Sequence, residues 1–290
     1  ERRYSAVSPA RTDTGHRTYS KTDVERLKLL SVLVNQGHTI RMVANLSMEE
    51  LRSMLTDHTH VLTEPSVPTA QTQDLLQHQA IHELVEALLR FELATMGRLL
   101  AKARVRFDIR TFIFGICIPL LRAVGREVQE RRMTISQEHA FSEMLRDQLK
   151  QILQTLNDGN AETPGSRRMA LASPAGDMHE FGIILSGILA AHQGWSVQYL
   201  GANLPAQDLA QAVNRLNCPV VLVGTADLPQ SEQKQSWQTY FGELDRHLHA
   251  ASSLWVGGAA AKQVHRQNIT LARPVRWIET LEQLEQTLSS

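Results

Sequence analysis

The stretch that decides the fold runs from Ala172 to Gly201 and reads ASPAGDMHEFGIILSGILAAHQGWSVQYLG. It starts at the end of an apolar run, passes through a loop that contains Asp177 and His179, and then becomes helical before a second apolar run. Short apolar runs that alternate with helical segments predict a parallel sheet covered by helices. In such sheets ligands bind at the carboxyl ends of the strands, and this loop belongs to that edge.

The same alternation continues towards the carboxyl terminus. The apolar runs are RMALASP, WSVQYLG, PVVLVGT, SLWVGG and VRWIE. They predict a flavodoxin-like α/β domain over residues 168–290. Thr225 ends the third run, and Gly257 and Gly258 end the fourth, so we expect these residues at the same edge as the His179 loop.

The residues expected at this edge have the chemistry of a metal–cofactor site. A neutral imidazole such as His179 suits cobalt or zinc, and Asp177 can hold its second nitrogen to fix the tautomer. A single ligand does not build a zinc cage, which needs three or four. Gly182, Gly257 and Gly258 lack a Cβ and let a bulky group approach the backbone. The set suits a large organometallic cofactor that brings its own ligands; alternatively, His179 only caps a helix and the glycines only form turns.

Two helical segments precede the α/β domain. Residues 1–56 contain short helices, and residues 74–156 have the pattern of a bundle of about four helices. An almost wholly apolar stretch of the bundle contains Pro119, which predicts a buried, kinked helix. Linkers are predicted at 57–73 and 157–167, where Pro, Thr, Asn and Gly accumulate.

Composition limits the possible functions. The chain has 290 residues and equal numbers of acidic and basic residues, so any affinity for nucleic acid must come from a local patch. No apolar run is long enough to cross a membrane, and no secretory signal is evident. Cys117 and Cys218 lie in apolar runs typical of reduced core cysteines, which favours a cytoplasmic protein. We find no nucleophile–base constellation, P-loop or acid pair, and therefore predict no enzymatic activity. Because the first residue is Glu1, we expect a longer parent protein.

The sequence GDMHEFG, residues 176–182, resembles the Asp-x-His-x-x-Gly motif of cobalamin-binding domains. In that family the histidine is the lower axial ligand of cobalt and the aspartate orients it. A Ser or Thr after the third strand and a Gly-Gly pair after the fourth line the slot for the nucleotide tail. The resemblance covers about Met169 to Leu288. It implies cobalamin as the cofactor, His179 as the cobalt ligand, and a binding set of Asp177, His179, Gly182, Thr225, Gly257 and Gly258.

The bundle resembles the helical cap that covers cobalamin in this family. The stretch PLLRAVGREVQERRMTISQEHAFSEML is similar to a pattern of light-sensing members, in which nine residues separate a Trp from a following Glu-His pair. Glu138 and His139 are present, but Val128 occupies the Trp position. In the photoreceptor members that Trp packs against an adenosyl upper ligand, so Val128 leaves open both the upper ligand and the role of light. Alternatively, Glu138 and His139 are an ordinary polar pair on a helix.

The basic amino-terminal segment resembles the wing and following helix of MerR-type winged helix-turn-helix regulators. There the recognition helix ends in Trp-Glu-Arg-Arg-Tyr, and the wing carries Arg-x-x-x-Gly-x-Arg-x-Tyr. In this chain the wing pattern falls on Arg11, Gly15, Arg17 and Tyr19. The preceding helices are expected before Glu1. The resemblance implies contacts to DNA phosphates and the minor groove from Arg2, Arg3, Arg11, Arg17 and Tyr19. The alternative is a solvated basic loop.

Together these resemblances predict a DNA-binding transcription regulator of MerR type with a carboxyl-terminal cobalamin module. Cobalamin, with or without light, would set its oligomeric state or its DNA affinity. The predicted partners are double-stranded DNA, cobalamin and further copies of the chain in a dimer or tetramer, and no membrane. One alternative is a corrinoid carrier for a methyltransferase, which would have no use for the wing. The other is a MerR-type regulator with a degenerate cobalamin site that senses another signal, which Val128 favours.

Overall fold

The computed structural model describes residues 10–11, 17–35, 44, 46–51, 70–161, 167–227 and 236–289. The chain divides into two compact units, Glu1–Ala70 and Gln71–Ser290. Arg2, Arg3 and Gly15 lie outside the described residues.

The first unit contains a short antiparallel hairpin followed by a helix. Its elements are β1 (Ala10–Arg11), β2 (Arg17–Thr18) and α1 (Lys21–Asn35). A capping box begins α1: the backbone N–H of Ser20 donates to Asp23 Oδ2 at 2.9 Å, and the N–H of Asp23 donates to Ser20 Oγ at 3.0 Å. Ser47 and Glu50 form a second box at a helical turn over 48–51. Local capping chemistry therefore defines where these helices start.

The second unit begins with a bundle of four helical rods. Three rods are single helices: α2 (Ala70–Leu89), α3 (Leu93–Arg106) and α6 (Ile135–Ala161). The remaining rod, between α3 and α6, is a composite of three consecutive segments: α4 (Ile109–Thr111), π1 (Phe112–Cys117) and α5 (Ile118–Gln129). The composite rod widens into a π-helix just before Pro119, which has no N–H to donate. The π segment and the proline together account for the irregularity predicted in this buried helix. No described helix is long and apolar enough to cross a membrane.

The predicted linker 57–73 ends earlier than expected, because α2 already begins at Ala70. The last proline of that stretch is Pro68, and the residues that follow Ala70 include no helix breaker. A helix can therefore begin at Ala70 and continue through residue 73. The remainder of this linker, 57–69, lies outside the described residues.

The predicted linker 157–167 is also partly helical, because α6 continues to Ala161. Contacts to the α/β domain hold this end of the helix. Asn157 Nδ2 donates to the carbonyl of Val197 at 2.9 Å, and Asn160 Nδ2 donates to a carbonyl of the same domain. Long-range hydrogen bonds thus override a local composition typical of a loop.

The rest of the second unit is a five-stranded, wholly parallel sheet. Its strands are β3 (Arg168–Pro174), β4 (Ser196–Leu204), β5 (Val220–Gly224), β6 (Ser253–Gly257) and β7 (Val275–Ile278), in the order β4-β3-β5-β6-β7. The helices between and after them are α7 (Phe181–His192), α8 (Ala206–Arg215), α9 (Trp237–His247), α10 (Ala261–Arg266) and α11 (Leu281–Leu288). This order confirms the predicted flavodoxin-like domain.

The two faces of the sheet belong to two different cores. On one face Leu171 and Leu222 share a continuous apolar core with α7, α11 and the bundle, to which Leu153 of α6 contributes. On the other face Val221 and Val223 pack with α8 and α9. Because one core runs through both parts, the bundle has a fixed position against α7, whose first turn follows the His179 loop.

Candidate functional site

The loop between β3 and α7 presents His179 at the carboxyl edge of the sheet. His179 Nδ1 lies 3.0 Å from Asp177 Oδ1, and the backbone N–H of His179 donates to the same oxygen at 2.8 Å. The other oxygen, Asp177 Oδ2, accepts from the N–H of Ala226 at 2.8 Å. The Asp177 side chain is 1% exposed and that of His179 is 67% exposed. A buried carboxylate thus holds an exposed imidazole and ties it to the segment after β5.

This pairing selects the nitrogen that can bind a metal. An ionised carboxylate only accepts hydrogen bonds, so Nδ1 carries the proton and Nε2 is the potential ligand atom. Among the described residues, no three His, Cys, Asp or Glu side chains are grouped to hold a metal ion. Within the part of the chain that the structure describes, His179 would therefore be a single protein ligand, which fits a cofactor that supplies its other ligands itself.

A second part of the edge is formed by the ends of β5 and β6. Thr225 is buried; its backbone N–H and its hydroxyl both donate to the carbonyl of Gly257, at 2.7 and 2.9 Å. Gly258 has φ +101°, and a Cβ there would lie 2.4 Å from the carbonyl oxygen of Thr225. A Cβ on Gly182 would meet nothing within 4 Å. Gly258 is thus required by the fold, whereas Gly182 leaves open space in the first turn of α7.

Known proteins match both units. The family "B12 binding domain" matches residues 80–153, and "MerR HTH family regulatory protein" matches residues 1–50. The HTH-type transcriptional repressor CarA of Myxococcus xanthus is 32% identical over 222 residues, which cover 76% of this chain and 68% of CarA. The repressor CarH of the same organism is 30% identical over 267 residues, covering 90% of this chain and 83% of CarH. The chain belongs to this family of MerR-type regulators with a cobalamin-binding module.

A solved structure shares the fold of the second unit. The monomethylamine corrinoid protein of Methanosarcina barkeri aligns with a TM-score of 0.56 at 14% identity, over 73% of this chain and 98% of that protein. At this identity the likeness concerns the architecture alone. It agrees with a helical bundle followed by a flavodoxin-like sheet.

Val128, Glu138 and His139, which the sequence predicts to cover cobalamin, lie at the ends of two bundle helices. Val128 is half-buried in the last turn of α5, against the bundle core. Near the start of α6, Glu138 Oε2 lies 3.1 Å from His139 Nδ1, and Glu138 Oε1 accepts from Ser142 Oγ at 2.6 Å. His139 is 74% exposed. It lies on the same helix face as Arg146, about 10 Å along the axis, because seven residues make two turns.

A cluster that was not predicted from the sequence joins the bundle to the His179 loop. Glu180 accepts from Arg146 Nε and from the hydroxyl of Tyr199, and Lys150 Nζ lies 3.8 Å from its carboxylate. Burial alone raises the pKa of Glu180, but the hydrogen bonds from Tyr199 and Arg146 outweigh it and hold that pKa below its usual value. Burial and the bond to Glu180 raise the pKa of Tyr199. The partners lie far apart in the chain, so no local pattern indicates this cluster.

The hairpin of the regulator's first unit contains two of the predicted DNA contacts. Arg11 and Arg17 are cross-strand partners in β1 and β2. Tyr19 follows β2 and is exposed. The pairing agrees with a two-stranded wing that holds both arginine positions side by side.

Proposed function

We propose that this regulator binds cobalamin, that His179 would be the protein ligand of cobalt, and that the cofactor controls DNA binding. The observation that carries the proposal is the Asp177–His179 pair, a buried carboxylate that fixes an exposed imidazole at the ligand-binding edge of the sheet. When bound, cobalamin supplies a cobalt centre whose upper ligand can change.

The described residues fit this cofactor. Gly182 leaves space beside His179, and Gly258 allows a backbone turn against Thr225 that no side chain could occupy. We infer that Thr225, Gly257 and Gly258 hold the nucleotide tail. Val128, Glu138 and His139 would cover the upper face from the bundle. These assignments make the cofactor a bridge between the bundle and the α/β domain.

The regulatory role rests on the relatives and on the wing. CarA and CarH are transcriptional repressors, and we infer that this chain is a repressor, not an enzyme. Arg11 and Arg17 would contact DNA without reading its sequence. We further propose a homo-oligomer whose assembly depends on cobalamin, which requires that two assembly states bind the cofactor with different affinity. A corrinoid carrier shares the fold of the second unit but has no use for a wing.

The test uses the full chain with His179→Ala and, as a matched control, His249→Ala, which removes an exposed imidazole at the end of α9. We expect only His179→Ala to lose most cobalamin affinity and the absorption spectrum of His-ligated cobalt. An unchanged spectrum and affinity in His179→Ala would falsify the assignment. Light scattering with and without adenosyl-, methyl- and hydroxocobalamin, in dark and light, tests the coupling to assembly. Identical masses under every condition would contradict it.

A further inference from the structure

Strand β4 is irregular where it passes the His179 loop. Its register against β3 shifts between Leu171 and Ala172 and again before Pro174, so β4 carries extra residues there. Gly201 has φ +98° and Asn203 has φ +62°. Such bulges re-aim backbone groups and side chains, and Asn is one of the few residues other than Gly that tolerates this backbone conformation.

The bulge brings Asn203 onto the turn that precedes His179. Asn203 Oδ1 accepts from the N–H of Gly176 at 2.7 Å, and the backbone N–H of Asn203 donates to the carbonyl of Asp177 at 3.0 Å. The same N–H lies 3.1 Å from Ser173 Oγ, and that hydroxyl donates to the carbonyl of Asp177 at 2.6 Å. Ser173 is fully buried. Asp177 is therefore fixed through its backbone from one side and through its carboxylate from the other.

We infer that Asn203 is a positioning residue for His179, acting through the backbone of Asp177. The turn at Gly176 has φ +93°, and its N–H is satisfied by the side chain of Asn203. Without that acceptor the turn can rotate, and the Asp177 carboxylate that orients the imidazole turns with it. The inference rests on the proposed function, because it presumes that His179 binds cobalt. It adds that a residue of the neighbouring strand sets how well His179 competes for the metal.

The test compares four variants of the full chain. Asn203→Gly removes the acceptor but keeps a residue suited to positive φ. Asn203→Asp keeps both the acceptor oxygen and the tolerance of this conformation. Asn268→Gly is the matched control, because Asn268 has φ +48° at the end of α10, outside the β3–β4 region. Ser173→Ala tests the step through the Asp177 backbone, since it removes one donor to the carbonyl of Asp177 and leaves Asn203 in place.

The readout identifies the axial ligand directly. Protein grown with 15N-histidine is loaded with cob(II)alamin and studied by electron paramagnetic resonance. A histidine ligand then splits the cobalt lines into doublets, whereas the cofactor's own base gives triplets. We expect doublets in wild type, Asn203→Asp and Asn268→Gly. We expect a lower share of doublets in Asn203→Gly and Ser173→Ala, with a dissociation constant about fivefold higher, the effect of one hydrogen bond.

The outcomes separate the two proposals. Doublets in wild type with the same doublet share in Asn203→Gly, Ser173→Ala and Asn268→Gly would overturn the role of Asn203 and leave His179 as the ligand. Triplets in wild type would overturn the proposed function and this inference with it. Where Asn203→Gly does not fold, a reduced doublet share in Ser173→Ala supports the step through the Asp177 backbone, and an unchanged share overturns it.

Discussion

Arg146 of the helical bundle donates a hydrogen bond from Nε to the carboxylate of Glu180, the residue that follows His179. Glu180 also accepts from Tyr199 of β4, so one carboxylate joins the bundle, the loop and the sheet. The side chains of Arg146 and Glu180 are 23% and 13% exposed, which makes this contact far less screened than a surface ion pair. The hydrogen bonds of Glu180 therefore couple the position of the bundle to the conformation of the His179 loop.

Removing Arg146 should weaken the packing of the bundle on the α/β domain. Arg146→Met keeps much of the side-chain volume but leaves Glu180 with Tyr199 and with Lys150, whose Nζ lies 3.8 Å away. Loss of one partner from a partly buried charged pair costs about 2 kcal/mol. We expect urea unfolding of the protein without cofactor to show this loss in the free energy of unfolding.

The control for this prediction is Arg90→Met. Arg90 pairs with Glu86 and Glu92 on the surface, where its side chain is 60% exposed. Exposed pairs contribute about 0.5 kcal/mol, so this variant should unfold almost like wild type. Equal losses in the two variants would show that the bond to Glu180 has no special part in stability.

The sequence predicted those features that local patterns determine. The alternation from Met169 onward indicated the parallel sheet, because strand and helix periods differ within a few residues. The spacing of Asp177 and His179 indicated that the two side chains could meet, and the structure has that hydrogen bond. Both features depend on residues close together in the chain.

Features that depend on strand register and long-range packing could not be predicted from the sequence. The apolar run that defines β4 was expected to end at Gly201, yet the strand continues to Leu204 through its bulge. Gly201 and Asn203 both tolerate positive φ, a signal visible in the sequence, but only the pairing with β3 shows which group Asn203 meets. The helical extension to Ala161 likewise depends on carbonyls of the α/β domain.

The two wing arginines should contribute to DNA affinity without selecting a sequence. In Arg11→Ala/Arg17→Ala we expect weaker binding to operator and unrelated duplexes alike. Each phosphate contact contributes about 0.9 to the slope of log affinity against log salt, so the slope should fall by about 2. Fluorescence anisotropy over a salt series measures both quantities.

The control is Arg246→Ala, which removes an exposed cation in the last turn of α9 and should bind DNA like wild type. Operator binding by the double variant with wild-type affinity and an unchanged slope would show that the wing arginines do not contact DNA.

Val128 should determine how well the upper face distinguishes cobalamins. Valine offers less contact area than tryptophan, so we expect wild type to bind adenosylcobalamin and hydroxocobalamin with similar affinity. Val128→Trp should raise the preference for adenosylcobalamin about tenfold or more, since a large aromatic contact contributes roughly 2 kcal/mol at a binding hot spot. Isothermal titration gives the ratio of the two dissociation constants.

The matched control for this substitution is Val105→Trp, which adds the same aromatic at a position of α3 that is 88% exposed. It should leave the ratio unchanged. A wild type that already prefers adenosylcobalamin strongly, with no gain from Val128→Trp, would show that another residue sets the choice.

Gly182 should matter to the cofactor and not to the fold. A Cβ there meets nothing within 4 Å, and the residue lies in the first turn of α7. Gly182→Ala should therefore leave the protein without cofactor at least as stable as wild type, because alanine favours a helix over glycine. If a corrin ring lies against this backbone, the added methyl group overpacks the contact at about 1–3 kcal/mol, a loss of about fivefold or more in cobalamin affinity.

Gly125→Ala isolates the effect of the methyl group from that of helix propensity. Gly125 lies within α5, and a Cβ there also meets nothing within 4 Å. Both variants should melt at or above the wild-type temperature, but only Gly182→Ala should lose cobalamin, and Gly182→Leu should lose more because its side chain reaches further into the same space. A graded loss across Ala and Leu at residue 182, with none at residue 125, would locate the cofactor beside His179. Wild-type affinity in Gly182→Leu would mean that the space in front of α7 is solvent, and the binding site would have to be sought elsewhere on the sheet edge.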